Sequence, residues 1–171
     1  PDNGWPGWDR ISGYYYPDST IAGFSHTHLS GTGPGDLYDI SYMPVTLPYR
    51  EAEAPLGIHS KFRHSDEEAS AGYYRVLLKD YNINVELTAT ERCGIQRYTF
   101  PKAQSAVCLN LKKAMNWDFT QDSHIEVVDS CTIQGYRFSD GWARGQRVFF
   151  RTRFSKPFRS SEIDTTAIIQ D

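Results

Sequence analysis

The chain has 171 residues, enough for one buried core of ordinary single-domain size. Its formal charge of -3, with Lys and Arg scattered among acids, supplies no basic stripe and argues against a phosphate-backbone partner. No apolar run approaches the roughly 20 residues of a membrane helix, and three cysteines, Cys93, Cys108 and Cys131, allow at most one internal disulfide, so buried free thiols are expected.

The chain opens Pro1-Asp2-Asn3-Gly4, without an initiator Met or an apolar leader, so any targeting signal is expected to have been removed or never included. Before residue 60, Gly, Pro, Ser and Asp interrupt every apolar segment, and only short strands are predicted, around 14–16, 21–25 and 40–43. Ser65-Asp66-Glu67-Glu68 has the Ser and Glu of a capping box and predicts a single helical turn. From Gly72 onward period-two alternation dominates. Tyr74, Val76 and Leu78 face one way, as do Ile83, Val85, Leu87 and Ala89 after a turn near Lys79-Asp80-Tyr81, which reads as a β-hairpin. Further strands are predicted at 95–100, 106–111, 124–128, 132–138 and 146–154. In the last, Val148, Phe150 and Phe154 share an inward face with Thr152, and Arg147, Arg151 and Arg153 lie opposite. Many short strands separated by turns predict an all-β, antiparallel β-sandwich.

The run GFSHTHLSGTG at 23–33 sets His26 and His28 two residues apart, ahead of a loop of small residues. In an extended backbone both imidazoles point to one side and Thr27 to the other. The pair suits a metal, acid–base chemistry or hydrogen bonds to sugar hydroxyls, and it equally suits the satisfaction of neighbouring carbonyls. Asp36, Asp39, His59 and His64 are available as further metal ligands, but no spacing singles them out. Ser25 and Ser30 lack the strand–elbow–helix setting of a nucleophile. Asp9, Asp18, Asp36 and Asp39 sit in loops, where acids usually form turns. Trp5 and Trp8, in Gly-Trp-Pro-Gly-Trp-Asp, have little core of their own and call for a cover, either a ligand or another polypeptide segment.

Gly7-Trp8-Asp9, Ser12-Gly13-Tyr14, Asp18-Ser19-Thr20, the histidine run and Gly35-Asp36 together resemble the N-terminal domain of glycoside hydrolase family 92, the calcium-dependent exo-acting α-mannosidases. The likeness continues through Phe62, His64, Glu68-Ala69, Gly72-Tyr73-Tyr74, the 86–90 run, Arg92, Gly94 and the 97–101 run, then Gly135-Tyr136-Arg137, Gly141-Trp142-Ala143 and the 154–158 run. Gln96 and Arg10-Ile11 depart from the family pattern.

The resemblance implies a β-sandwich followed by an (α/α)6 barrel, with the active site between them. It implies hydrolysis of mannose-terminated glycans with inversion: an acid protonates the leaving oxygen, a carboxylate base activates water, and a Ca²⁺ ion helps distort the ring. These groups are expected chiefly from the barrel. Residues 1–171 are then expected to be one sandwich domain, lacking the family's first strand and the barrel, with no catalytic residue and no metal of its own. Trp8, Asp9, His26 and His28 are the expected substrate-binding residues. The expected partners are the mannosyl glycan, the (α/α)6 domain and, through uncovered edges, further copies of the fragment. A bacterial, secreted or periplasmic setting is implied. Two other readings are a free-standing lectin-like mannose-binding module and a metal-dependent enzyme with His26 and His28 as ligands.

Overall fold

Period-two alternation makes pleated strands because successive side chains leave the backbone on opposite faces, so each apolar set must find a partner sheet. The computed structural model describes residues 14–27, 38–48, 57–112, 118–141, 143–163 and 167–170. The strands are β1 (Thr20–Ile21), β2 (Ser41–Thr46), β3 (Ser60–Lys61), β4 (Glu67–Ser70), β5 (Tyr73–Leu78), β6 (Ile83–Ala89) and β7 (Gly94–Thr99). They continue with β8 (Ser105–Asn110), β9 (Phe119–Asp129), β10 (Thr132–Asp140), β11 (Gln146–Arg153), β12 (Ser160–Ile163) and β13 (Ala167–Gln170).

Strand order is β4-β5-β6-β7 in one sheet, β12-β13-β8-β2 in a second and β11-β10-β9 in a third, with a small β1-β3 pair. All pairings are antiparallel. The fold is therefore all-β, as the alternation predicts.

The second sheet lies between the other two. Met43 and Val45 of β2, with Ala106 and Cys108 of β8, join Val76, Leu78, Ile83 and Val85 in one buried cluster. The alternate residues Tyr42, Val107 and Leu109 join Leu111 and Ile133 in another, against which Val148, Phe150 and Phe154 pack. Because β2 and β8 are buried on both faces, neither shows clean alternation, and each carries a nearly continuous buried run. Each fully buried aliphatic side chain here stabilises the fold by about 1.5–3 kcal/mol relative to exposure.

The hairpin β5–β6 turns through Lys79 to Asn82, where Asn82 takes the left-handed conformation (φ 53°) that a short amide side chain tolerates. In β10, a Cβ at Gly135 would stand 1.9 Å from the His124 carbonyl oxygen, so β9 and β10 approach as closely as they do only with glycine there.

Three expectations need correction. Residues 14–16 are not a strand: the chain turns at Tyr16-Pro17, with Asp18 N–H donating to Tyr15 O at 2.9 Å, because Pro17 withholds a ladder donor. The predicted helical turn shrinks to one 3-10 turn, His64–Asp66, with no side-chain cap, since Glu68, the acid of the box, enters β4 and its carboxylate turns to Arg75 at 3.2 Å. β4 and the β12–β13 hairpin escaped prediction. Glu67–Ser70 is polar because it is an edge strand, paired on one side only. Nor are the thiols all buried: Cys108 is, but Cys93 is exposed and Cys131 half-buried, and none of the three is in a disulfide.

Candidate functional site

Strand register decides which side chains surface together. Glu67 lies opposite Val76, and Ala69 opposite Tyr74; Tyr74 pairs Leu87, Leu87 pairs Gln96 and Ala89 pairs Gly94. Residues paired in a ladder share a face. Glu67, Tyr74, Leu87, Gln96 and Gly94 therefore lie on the core-facing side of the β4–β7 sheet, where that face runs beyond the buried Val76 and Val85 to form a rim.

At the β7 end stands His26. It is exposed, and its ring lies on the backbone of Gly94, so that a Cβ at residue 94 would be 2.2 Å from the imidazole Cδ2 and 2.5 Å from Nε2. Two residues earlier, buried Phe24 bridges Tyr42 of β2 through reciprocal backbone hydrogen bonds of 2.8 and 2.9 Å. Gln96 Nε2 donates to the Phe24 carbonyl at 3.4 Å, and its Oε1 accepts from the Tyr98 hydroxyl at 2.5 Å. Burial pushes the Tyr98 phenol well above its ordinary pKa, which keeps it a neutral donor.

Thr27 turns inward, although the chain bends at His26 instead of running on as strand. Its Oγ1 accepts from Asp39 N–H at 3.1 Å, and its carbonyl accepts from Tyr38 N–H at 2.6 Å. Tyr38 has φ 73°. Behind it, Arg137 is wholly buried, with Nη1 2.7 Å from Asp39 Oδ1 and Nη2 3.0 Å from Asp118 Oδ2. Its Nε donates to the Leu111 carbonyl and to Thr120 Oγ1, both at 2.9 Å. One guanidinium thus fastens the residues that follow 28–37 to the ends of β8 and β9.

At the β4 end, Glu67 accepts from His64 Nδ1 at 2.5 Å, the Tyr74 hydroxyl at 2.5 Å and the Tyr14 hydroxyl at 3.2 Å. Tyr16 stacks on the His64 ring, with centroids 4.1 Å apart and planes 8° from parallel. The hydrogen bond to Glu67 raises the His64 pKa, aided by one to the Tyr16 backbone. Desolvation and the adjacent carboxylate push the Tyr14 phenol up to about 12.

Of the expected substrate-binding residues, His26 is on this rim; Trp8, Asp9 and His28 lie outside the described residues, as does Asp36. The supplementary ligand candidates are engaged elsewhere: Asp39 with Arg137, His64 with Glu67, and His59 through Nδ1–H to the Gly57 carbonyl at 3.0 Å. Among the described residues no three His, Cys, Asp or Glu side chains are grouped to hold a metal ion. Sequence reasoning missed Gly94, Glu67 and Arg137 as parts of this architecture. Parity could have found Arg137, which falls between Ile133 and Ser139 on the inward face of β10.

Stacked antiparallel sheets ending in an exposed rim of imidazole and phenol groups define an all-β domain whose surface suits hydrogen bonding and ring stacking. Residues 1–170 match the glycosyl hydrolase family 92 N-terminal domain, and the chain belongs to that family. Among solved structures, it is similar to the family GH92 α-mannosidase BT3965 from Bacteroides thetaiotaomicron, a structure in complex with mannoimidazole, at 29% identity and a TM-score of 0.89. That match covers 99% of this chain and 26% of that one. The GH92 family glycosyl hydrolase ccman5 shares the fold at 21% identity and a TM-score of 0.75, over 94% of this chain and 25% of its own. The GH92 inverting mannosidase BT2199 from Bacteroides thetaiotaomicron shares it at 21% identity and 0.74, over 99% and 24%. No curated protein matches the chain. The chain spans about a quarter of the length of the solved enzymes it resembles.

Proposed function

We propose that this chain is the pocket-forming N-terminal part of an inverting exo-α-1,2-mannosidase acting on mannose-terminated glycans, and that it is inactive without a companion (α/α)6 domain. His26 hydrogen-bonds the terminal mannose, and Trp8, Asp9 and His28 complete this side of the pocket. The observation that carries the reading is the exposure of His26 on a rim built to hold it: its ring rests on Gly94 and the adjoining backbone is bound to β2 and β7.

Inverting hydrolysis needs two carboxyl groups about 6.5–9.5 Å apart, one to protonate the leaving oxygen and one to activate water. Glu67, the acid on this rim, is already ringed by Tyr14, Tyr74 and His64, which suits holding a surface together rather than moving a proton. The family resemblance assigns the acid and base to the companion domain. Calcium is assigned to the companion domain by the family resemblance alone, and nothing done by His26 requires it.

The test is calorimetry with α-methyl mannoside and turnover of α-1,2-mannobiose. The parent polypeptide should bind mannoside roughly tenfold more weakly after His26→Ala, the equivalent of one hydrogen bond. The 171-residue chain alone should show no turnover. Turnover by the isolated chain would overturn the division of labour, and tight binding by it would favour the lectin-like module instead.

A further inference from the structure

Glycine occupies position 94 for a reason other than backbone freedom. Gly57, Gly72 and Gly145 have φ of 58°, 75° and 65° and nothing near the position of a Cβ, so they serve turns. Gly94 is the reverse: it begins a regular strand, without a positive φ, and its missing Cβ would fall 2.2 Å from Cδ2, 2.4 Å from Cγ and 2.5 Å from Nε2 of His26. A Cβ at such distances is impossible, so one of the two groups must move. The Gly94 backbone is paired with Ala89 on β6. His26 is exposed and swings more easily than the strand.

We propose that Gly94 is a positioning residue: its bare backbone is a notch in the edge of β7 that seats the His26 imidazole flat against the strand and fixes the direction in which its ring edge meets a sugar hydroxyl. The seat has two further supports. Gln96, two residues along the same face, holds the Phe24 carbonyl at 3.4 Å, and half-buried Tyr98 holds Gln96 at 2.5 Å. Backbone and ring of the histidine segment are thus gripped by successive inward residues of one strand. Fixing a donor before the ligand arrives removes part of the ordering cost of binding. The role assigned to the sugar rests on the proposed function above; the seat itself does not.

Two measurements separate these. A ring lying on a glycine shifts its α-protons upfield, so the Gly94 Hα resonances of the 171-residue chain should lie upfield of ordinary strand values and return to them in His26→Ala. Unshifted Gly94 protons in the wild-type chain would overturn the seat outright. For sugar recognition, Gly94→Ala in the parent polypeptide should weaken α-methyl mannoside binding by roughly the same tenfold as His26→Ala. The double variant should be no weaker than either single one, because both remove one positioned imidazole, and the urea midpoint of Gly94→Ala should stay near that of wild type. Wild-type affinity in Gly94→Ala alongside weakened binding in His26→Ala would refute the positioning role. Absence of mannoside binding by the wild-type parent polypeptide would sink the functional reading, and the proton shifts would still decide the seat.

Discussion

Arg137 carries more of this molecule than its position in a strand suggests. A guanidinium with no exposure is held by two equally buried carboxylates, Asp39 and Asp118, and by Leu111 O and Thr120 Oγ1. Removing the cation leaves two negative charges in a low-dielectric interior, which typically costs about 3–5 kcal/mol, even though such a network contributes little beyond a well-packed apolar replacement. Arg137→Ala is therefore expected to lower the urea-unfolding free energy by about that amount. A change below about 1 kcal/mol would mean the network is solvated. Since Asp39 follows Tyr38 and anchors Thr27 through its N–H, the same variant should also loosen the histidine segment. In the sequence this arginine stands out only as part of the family's Gly135-Tyr136-Arg137 run; that its two carboxylate partners converge from positions 39 and 118 is a matter of tertiary packing.

At the scale of elements, β4 shows what a polar edge strand can do. Glu67 gathers Tyr14, His64 and Tyr74, and Tyr16 lies against the His64 ring, so the 14–18 segment is strapped to the sheet by one carboxylate and one imidazole. The folded state raises the His64 pKa, chiefly through the hydrogen bond to Glu67. Folding then favours the protonated ring: the stabilisation is fully present below the ordinary value of 6.5 and fades as pH rises from there through the higher folded-state pKa. A stability–pH profile should fall across that window in the wild type and flatten in His64→Asn; identical slopes would remove His64 from the strap. The capping-box motif pointed to the right residues for the wrong reason. Ser65 and Asp66 do lie in a turn, but pairing with β5 decides that Glu67 and Glu68 continue as strand.

For the whole molecule, the arrangement of layers sets the order of stability. The β2–β8 pair is buried on both sides and contributes to both clusters, whereas β7 and β11 each pair with one neighbour and show alternate residues to solvent. Local opening free energy follows such burial. Native-state hydrogen exchange should find the slowest paired amides in β8 and faster ones in β7 and β11. Comparable protection in all three strands would contradict a shared central layer.

Period two in the sequence was enough to determine antiparallel strands and the inward faces of Tyr74, Val76 and Leu78 and of Val148, Phe150 and Phe154. These are local consequences of the pleat. The tertiary structure alone decided that one sheet is enclosed by two, that Glu67, Gln96 and Gly94 share a rim, and that His26 finds its seat 68 residues away at Gly94. Such facts depend on strand register and sheet stacking. A one-residue slip would turn every side chain of a strand to its other face, and that choice is made by the partners across the sheet.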